Sequence, residues 1–162
     1  MEPEVKVGRR EATLVVSRRL PVTLPEIGGV MSGAFREVYG HLGRRGAVPD
    51  GPPFVIYHEM PMPGEPFEIE VCAPVRRPVD LPGGWTLTEL PAGTFATLLH
   101  VGPYDTIGVS YDALTGWLGE HGFVPAGPPR EVYLSEPGTP PERIHTILEF
   151  PVAGVAAPVV AS

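Results

Sequence analysis

An α+β fold is what this 162-residue chain predicts: a tandem pair of strand-helix-strand-strand modules related by pseudo-two-fold symmetry. Three observations carry the prediction. The chain repeats itself at a nearly constant offset. Each copy holds one apolar stripe with helical spacing. Each copy also holds short β-rich runs set off by Gly and Pro turns.

The repeat is visible by eye. Residues 48–57, VPDGPPFVIY, match 124–133, VPAGPPREVY, at an offset of 76. The same offset lays Met31, Phe35, Val38 and Leu42 on Ile107, Tyr111, Leu114 and Leu118. Both sets step by 4, 3 and 4, one face of an α-helix. Upstream, residues 5–21 match 87–103 at offset 82, and Ala73-Pro74-Val75 matches Phe150-Pro151-Val152 at 77. Module one therefore spans about 3–75 and module two about 85–152, with 76–84 as the link. Residues 1–152 form one domain of two modules, and 153–162, which have no periodic partner, read as a flexible tail.

Within module two, strands at 86–89 and 94–101 are separated by the bend Pro91-Ala92-Gly93. Gly102-Pro103-Tyr104-Asp105 turns the chain, and Asp105 suits the N-cap of a helix over 106–121. Gly122 suits its C′ stop. Pro125–Pro129 is a connection, followed by strands at 131–135 and 143–150. Module one repeats this with a helix over 26–45 and strands at 54–60 and 67–73. One helix cannot cover both faces of its sheet. Two modules with their bare faces turned inward would enclose a ligand groove.

Composition narrows the function classes. Twelve Lys and Arg against 19 Asp and Glu give a net charge of −7, with no basic cluster of the kind a nucleic acid requires. Cys72 is the single cysteine, which excludes an internal disulfide and a cysteine-based zinc site. The five histidines show no metal-ligand spacing, so neither a metal nor a cofactor is expected. No apolar run approaches 18 residues and no signal sequence opens the chain. The expectation is a cytoplasmic protein without direct nucleic-acid or membrane partners, with homodimerisation left open.

Three stretches carry a family resemblance: His100-Val101-Gly102-Pro103-Tyr104-Asp105-Thr106-Ile107, the helix with Tyr111, Leu114 and Trp117-Leu118, and Pro129-Arg130-Glu131-Val132-Tyr133-Leu134-Ser135-Glu136-Pro137. Together they resemble the GyrI-like small-molecule-binding domain, the effector-binding half of multidrug-sensing MerR-type and AraC-type regulators. The resemblance covers about residues 3–152. It implies paired strand-helix-strand-strand modules and a pocket for bulky, planar, often cationic aromatic compounds. It also implies a glutamate at the pocket floor, which by motif position is Glu131. Some stand-alone members resemble hydrolases that open cyclopropane-bearing alkylating natural products. The first strand here is expected within a few residues of Met1, leaving no room for a helix-turn-helix before it.

Strand alternation puts Glu131 and Tyr133 on one face and Val132 and Leu134 on the other. The apolar pair is expected against the module's own helix, and the carboxylate and phenol in the groove. The competing reading is a surface glutamate paired with Arg130 or Arg143. Tyr57 is the repeat partner of Tyr133, whereas Val55 replaces Glu131 in module one, so the expected site has one acid. Tyr111, Trp117, Phe35 and Met31 are the remaining candidate ligand contacts, with core packing as the competing reading. Glu70 is a weaker candidate. Aromatic walls suit a planar cation through stacking and cation–π contact.

The leading expectation is a stand-alone binder of hydrophobic, planar, cationic aromatic molecules, serving sequestration or sensing of toxic compounds. The alternative is a hydrolase adding water to a strained cyclopropane, with Glu131 and Tyr133 as its catalytic groups. A DNA gyrase inhibitor ranks below both.

Overall fold

The structure, a computed structural model, describes residues 4–154. In chain order it holds β1 (Lys6–Arg10), β2 (Thr13–Val22), α1 (Ile27–Arg44), β3 (Phe54–Tyr57), β4 (Phe67–Pro74) and β5 (Thr86–Leu90). Then follow β6 (Gly93–Val101), α2 (Ile107–Glu120), β7 (Phe123–Pro125), β8 (Arg130–Tyr133) and β9 (His145–Gly154). The strand pairings described below are all antiparallel, so the chain is α+β.

The chain forms two compact units whose boundaries differ from the sequence repeat. The first unit is Ala12–Pro91, with strand order β3-β4-β2-β5. The second joins the N-terminal residues through Glu11 to the chain from Ala92 onward, with order β1-β6-β9-β8 and β7 also on β9. The opening strands are thus exchanged. β1 precedes β2 but pairs with β6, and β5 precedes β6 but pairs with β2.

Turn chemistry accounts for the exchange. Only Glu11-Ala12 and Pro91-Ala92 separate the two strand pairs. A two-residue hairpin needs a positive φ at one or both loop positions. None of these four residues is a glycine, asparagine or aspartate, the types that take such a φ most readily, and Pro91 holds φ near −65° by its ring. Each opening strand therefore runs past its neighbour instead of folding back on it.

The two helices form as their stripes require. Ala34, Val38 and Leu42 of α1 are buried, as are Leu114 and Leu118 of α2. Both helices stop at a glycine in the left-handed region. Gly46 (φ 63°) follows the cap residue Arg45, and Gly122 (φ 74°) follows the cap residue His121. The helix start differs from expectation. A 3-10 turn at Tyr104–Thr106 precedes α2, and Thr106, not Asp105, stands at the N-cap with no side-chain capping bond.

β7 lies in a segment whose proline content reads as connection. Its counterpart in the first unit is the single bridge Pro49–Val75, which sits at the repeat offsets of Pro125 and Val152. β9 runs through Ala153 and Gly154, the first two residues of the expected tail. Residues 155–162 lie outside the described residues. Among the described residues, no helix is long and apolar enough to cross a membrane.

In the second unit, α2 packs Leu114 and Leu118 against Ala96, Leu98, Leu148, Phe150 and Val152. Ile107, Tyr111, Trp117 and Phe123 flank this cluster. In the first unit, α1 packs on β4, over a sheet whose Val16, Val55, Ile69, Val71 and Ala73 are almost wholly buried.

Candidate functional site: a carboxylate held by tyrosines

Register decides which way Glu131 points. Glu131 of β8 lies opposite Leu148 of β9, and Leu148 lies opposite Leu98 of β6. Residues opposite one another in an antiparallel pair share a face. Leu98 and Leu148 belong to the cluster under α2. Glu131 and Tyr133 therefore face the helix of their own unit. This corrects the expectation that Val132 and Leu134 take that face. Val132 is buried on the opposite side, and Leu134 lies beyond the strand, 45% exposed. Alternation separates two faces but does not say which of them a helix covers.

The helix supplies a partner for the acid. The Tyr111 hydroxyl, from the second turn of α2, donates to Glu131 Oε2 at 2.7 Å. The Tyr133 hydroxyl donates to Oε1 at 2.9 Å. Two residues separate Tyr133 from Glu131 along one strand, so both side chains rise from the same face. Glu131 is only 6% exposed, while both tyrosines keep partial exposure. The carboxylate is thus a buried acceptor of two phenol hydrogen bonds.

A third tyrosine completes the ring set. Tyr104, in the turn before α2, meets Tyr133 edge-on, with centroids 6.1 Å apart and planes at 77°. Burial pushes the Tyr104 phenol above its ordinary value; the Thr146 hydroxyl opposes that shift and the nearby Glu131 charge adds to it. Tyr111 in turn meets Phe150 edge-on at 6.3 Å. Both geometries turn the positive ring edge toward a neighbouring π face. Tyr104 was absent from the candidates, although it lies within the HVGPYDTI motif. Its signal was the turn that places it beside the strand of Tyr133.

Trp117 sits at the far end of α2, stacked on His121 at 3.9 Å and on Phe123 at 5.9 Å. Tyr57, Phe35 and Met31 belong to the first unit and are partly buried there. Tyr57 stacks on Phe67 with centroids 6.4 Å apart. At the repeat position of Glu131, Val55 is fully buried.

Glu70 has a different setting. It is next in the strand to Val71, which is in register with Val55 and with Arg18. Arg18 reaches Glu37 on α1, so Glu70 lies on the face away from that helix. There it accepts the Ser17 hydroxyl at 2.6 Å and meets His58 Nε2 at 2.7 Å. Burial alone would raise the Glu70 pKa. Hydrogen bonds from Ser17 and His58, with the charges of His58 and Arg19, outweigh it and hold the carboxyl below its ordinary range. No cluster of metal-ligating side chains occurs among the described residues.

The model of the GyrI-like small molecule binding domain matches residues 3–153. The chain belongs to the GyrI-like small-molecule-binding family. Solved structures agree on the fold. The EcmrR C-terminal domain superposes with a TM-score of 0.83 at 23% identity, covering 96% of this chain and 100% of that one. In a complex of EcmrR with DNA, the match spans 58% of the EcmrR chain. SAV2435, solved bound to tetraphenylphosphonium, gives 0.68 at 13% identity, covering 95% of this chain and 96% of its own. A protein of Listeria innocua described as a hydrolase gives 0.67 at 14%, covering 94% and 93%. No curated protein sequence matches the chain. For this GyrI-like protein, likeness at such identities speaks for the fold alone.

Proposed function

We propose that this GyrI-like protein is a cytoplasmic binder of hydrophobic, planar, cationic aromatic molecules, serving sequestration or sensing of toxic compounds. The observation that carries the reading is the Glu131 carboxylate, 6% exposed and held by two phenols. The two phenol hydrogen bonds offset part of the cost of burying that carboxylate, and a bound cation would offset more. Tyrosine faces around it offer an aromatic cation both stacking and the negative side of the ring quadrupole. SAV2435, of the same fold, is a protein solved with a lipophilic cation.

Fluorescence titration with a planar cationic dye tests this, with tetraphenylphosphonium as competitor. Glu131→Gln keeps the shape and removes the charge, and should weaken dye binding about 10- to 100-fold, the scale of one charge-assisted contact. Equal binding by the variant, or none by the unsubstituted protein, defeats the proposal. A neutral dye of the same shape should lose far less.

A second reading rests on the same contacts: water addition to a strained cyclopropane, with Glu131 as general base and a tyrosine donating to the developing oxyanion. The fold match to a Listeria innocua hydrolase favours keeping it. Tyr133 would have to turn its hydroxyl from Glu131 to the substrate. A product assay with a cyclopropane-bearing alkylator separates the readings, because a pure binder returns the compound unchanged.

A further inference from the structure

A second constellation stands on the same face of the second unit as Glu131. His100 of β6 is 5% exposed. Its Nε2 lies 3.0 Å from the Pro103 carbonyl, and its Nδ1 lies 2.7 Å from the Ser110 hydroxyl. A carbonyl can only accept, so Nε2 carries the hydrogen. In the neutral ring Nδ1 then bears the lone pair, and the Ser110 hydroxyl donates to it. Ser110 belongs to the first turn of α2 and is partly exposed, whereas the ring behind it is buried.

We propose that Ser110 and His100 form a nucleophile–base pair that accepts an acyl group from aryl esters. A nucleophile, a base within hydrogen-bond reach and a third group that orients the base are the parts such a site requires. Here the third group is the Pro103 carbonyl, which fixes the tautomer. Thr106 Oγ1 also donates to that carbonyl at 2.9 Å, holding the turn in place. Gly102 closes the turn at φ 132°, with its N–H on the Ile144 carbonyl at 2.9 Å.

The chemistry balances with water as the only co-reactant. Ser110 Oγ bonds to the ester carbonyl carbon and its proton passes to His100 Nδ1. The carbon–oxygen bond to the aryl group breaks, and the leaving aryl oxide takes the electron pair and that proton. Water then attacks the acyl carbon and gives one proton to Nδ1. The bond to Oγ breaks, Oγ recovers the proton, and a carboxylic acid departs. An aryl ester is the fitting class because its leaving group is already a weak base. His100 and Tyr133 both stand opposite Thr146, so the pair lies two strand spacings, roughly 10 Å, from Tyr133.

The test is a fluorophosphonate probe on the intact protein, read by whole-chain mass and peptide mapping, beside p-nitrophenyl acetate turnover. One adduct on Ser110 is expected, absent in Ser110→Ala and at least about 100-fold slower in His100→Asn. Ser32→Ala, at an exposed position on α1, should label like the unsubstituted chain. Folding of each variant is checked by circular dichroism. If His100→Asn fails to fold, Ser110→Cys replaces it. That thiol should react with iodoacetamide at pH 6 at least ~10-fold faster than a free cysteine, with buried Cys72 silent. A bare Ser110, equal labelling without His100, or an ordinary thiol rate overturns the proposal. Dye binding at Glu131 is a separate readout, so either proposal can fail alone.

Discussion

The two units answer the same structural demand with different chemistry. Val55 in the first and Glu131 in the second occupy the same repeat position, in register with Val71 and with Leu148, on the face that carries the helix. One is a fully buried valine and the other a nearly buried carboxylate. Each unit also buries an acid on the opposite face. Glu70 is held by Ser17 and His58, and Glu149 by the two terminal guanidinium nitrogens of Arg10 at 2.5 and 2.6 Å. Acids on the far faces are thus tied to groups that can carry positive charge. Glu131 accepts hydrogen bonds from the phenols of Tyr111 and Tyr133. Duplication kept the register and the helix stops in both halves and set the candidate chemistry in one.

Moving the acid should break the comparison most severely. Val55→Glu puts a carboxylate into the first unit where Phe35, not a tyrosine, stands at the repeat position of Tyr111. A loss of about 3–5 kcal/mol in urea unfolding is expected. A loss under about 1 kcal/mol would mean that the first unit already holds donors for an acid there.

Truncating the equivalent stripe residues sharpens it. Leu42 and Leu118 are 1% and 2% exposed, and each cut to alanine should cost about 2–5 kcal/mol. The two losses should agree within about 1 kcal/mol. A large disagreement would show that the helices are not packed alike.

Acid titration separates the far-face acid of the first unit from its surroundings. The folded-state pKa of Glu70 lies below its ordinary 4.5, so its contribution is complete above that value. It is lost as pH falls through the lowered, folded-state pKa. The stability gap between the unsubstituted protein and Glu70→Gln should therefore hold from pH 7 to about 5 and shrink below. A gap unchanged down to pH 3 would refute the assignment.

The smallest effect is at the helix stops. Gly46→Ala and Gly122→Ala each force a side chain into the left-handed region, at a cost of about 1 kcal/mol after the entropy gained in the unfolded chain. Thermal unfolding should show equal shifts for the two.

Much of this is legible in the sequence itself. Helix stripes and stop glycines follow local spacing, so both helices and Gly122 read directly. The alternation of Glu131 and Tyr133 was legible for the same reason. What escaped depends on partners distant in sequence. Nothing in KVGRR says that β1 pairs with residues some 87 positions later rather than with its neighbour. Nothing local says which face of β8 meets α2. β7, three residues long and ending in proline, pairs only because β9 extends past Phe150. Tyr104 reaches the site through a turn whose role appears only when β6, β8 and α2 are placed together.

The exchange of opening strands also sets a timetable for synthesis. β1 leaves the ribosome well before its partner, Gly93–Thr97, which follows more than 80 residues later. At about 5–20 residues per second, that delay is on the order of ten seconds. Throughout it, β1 is an unpaired strand, the kind of edge that recruits strangers. Its composition suits the wait. Lys6, Arg9 and Arg10 make three of its five residues cationic, and Gly8 weakens its tendency to pair elsewhere. Meanwhile the first unit can close as soon as Leu90 emerges, leaving the nascent chain with one finished half and one charged strand held in reserve.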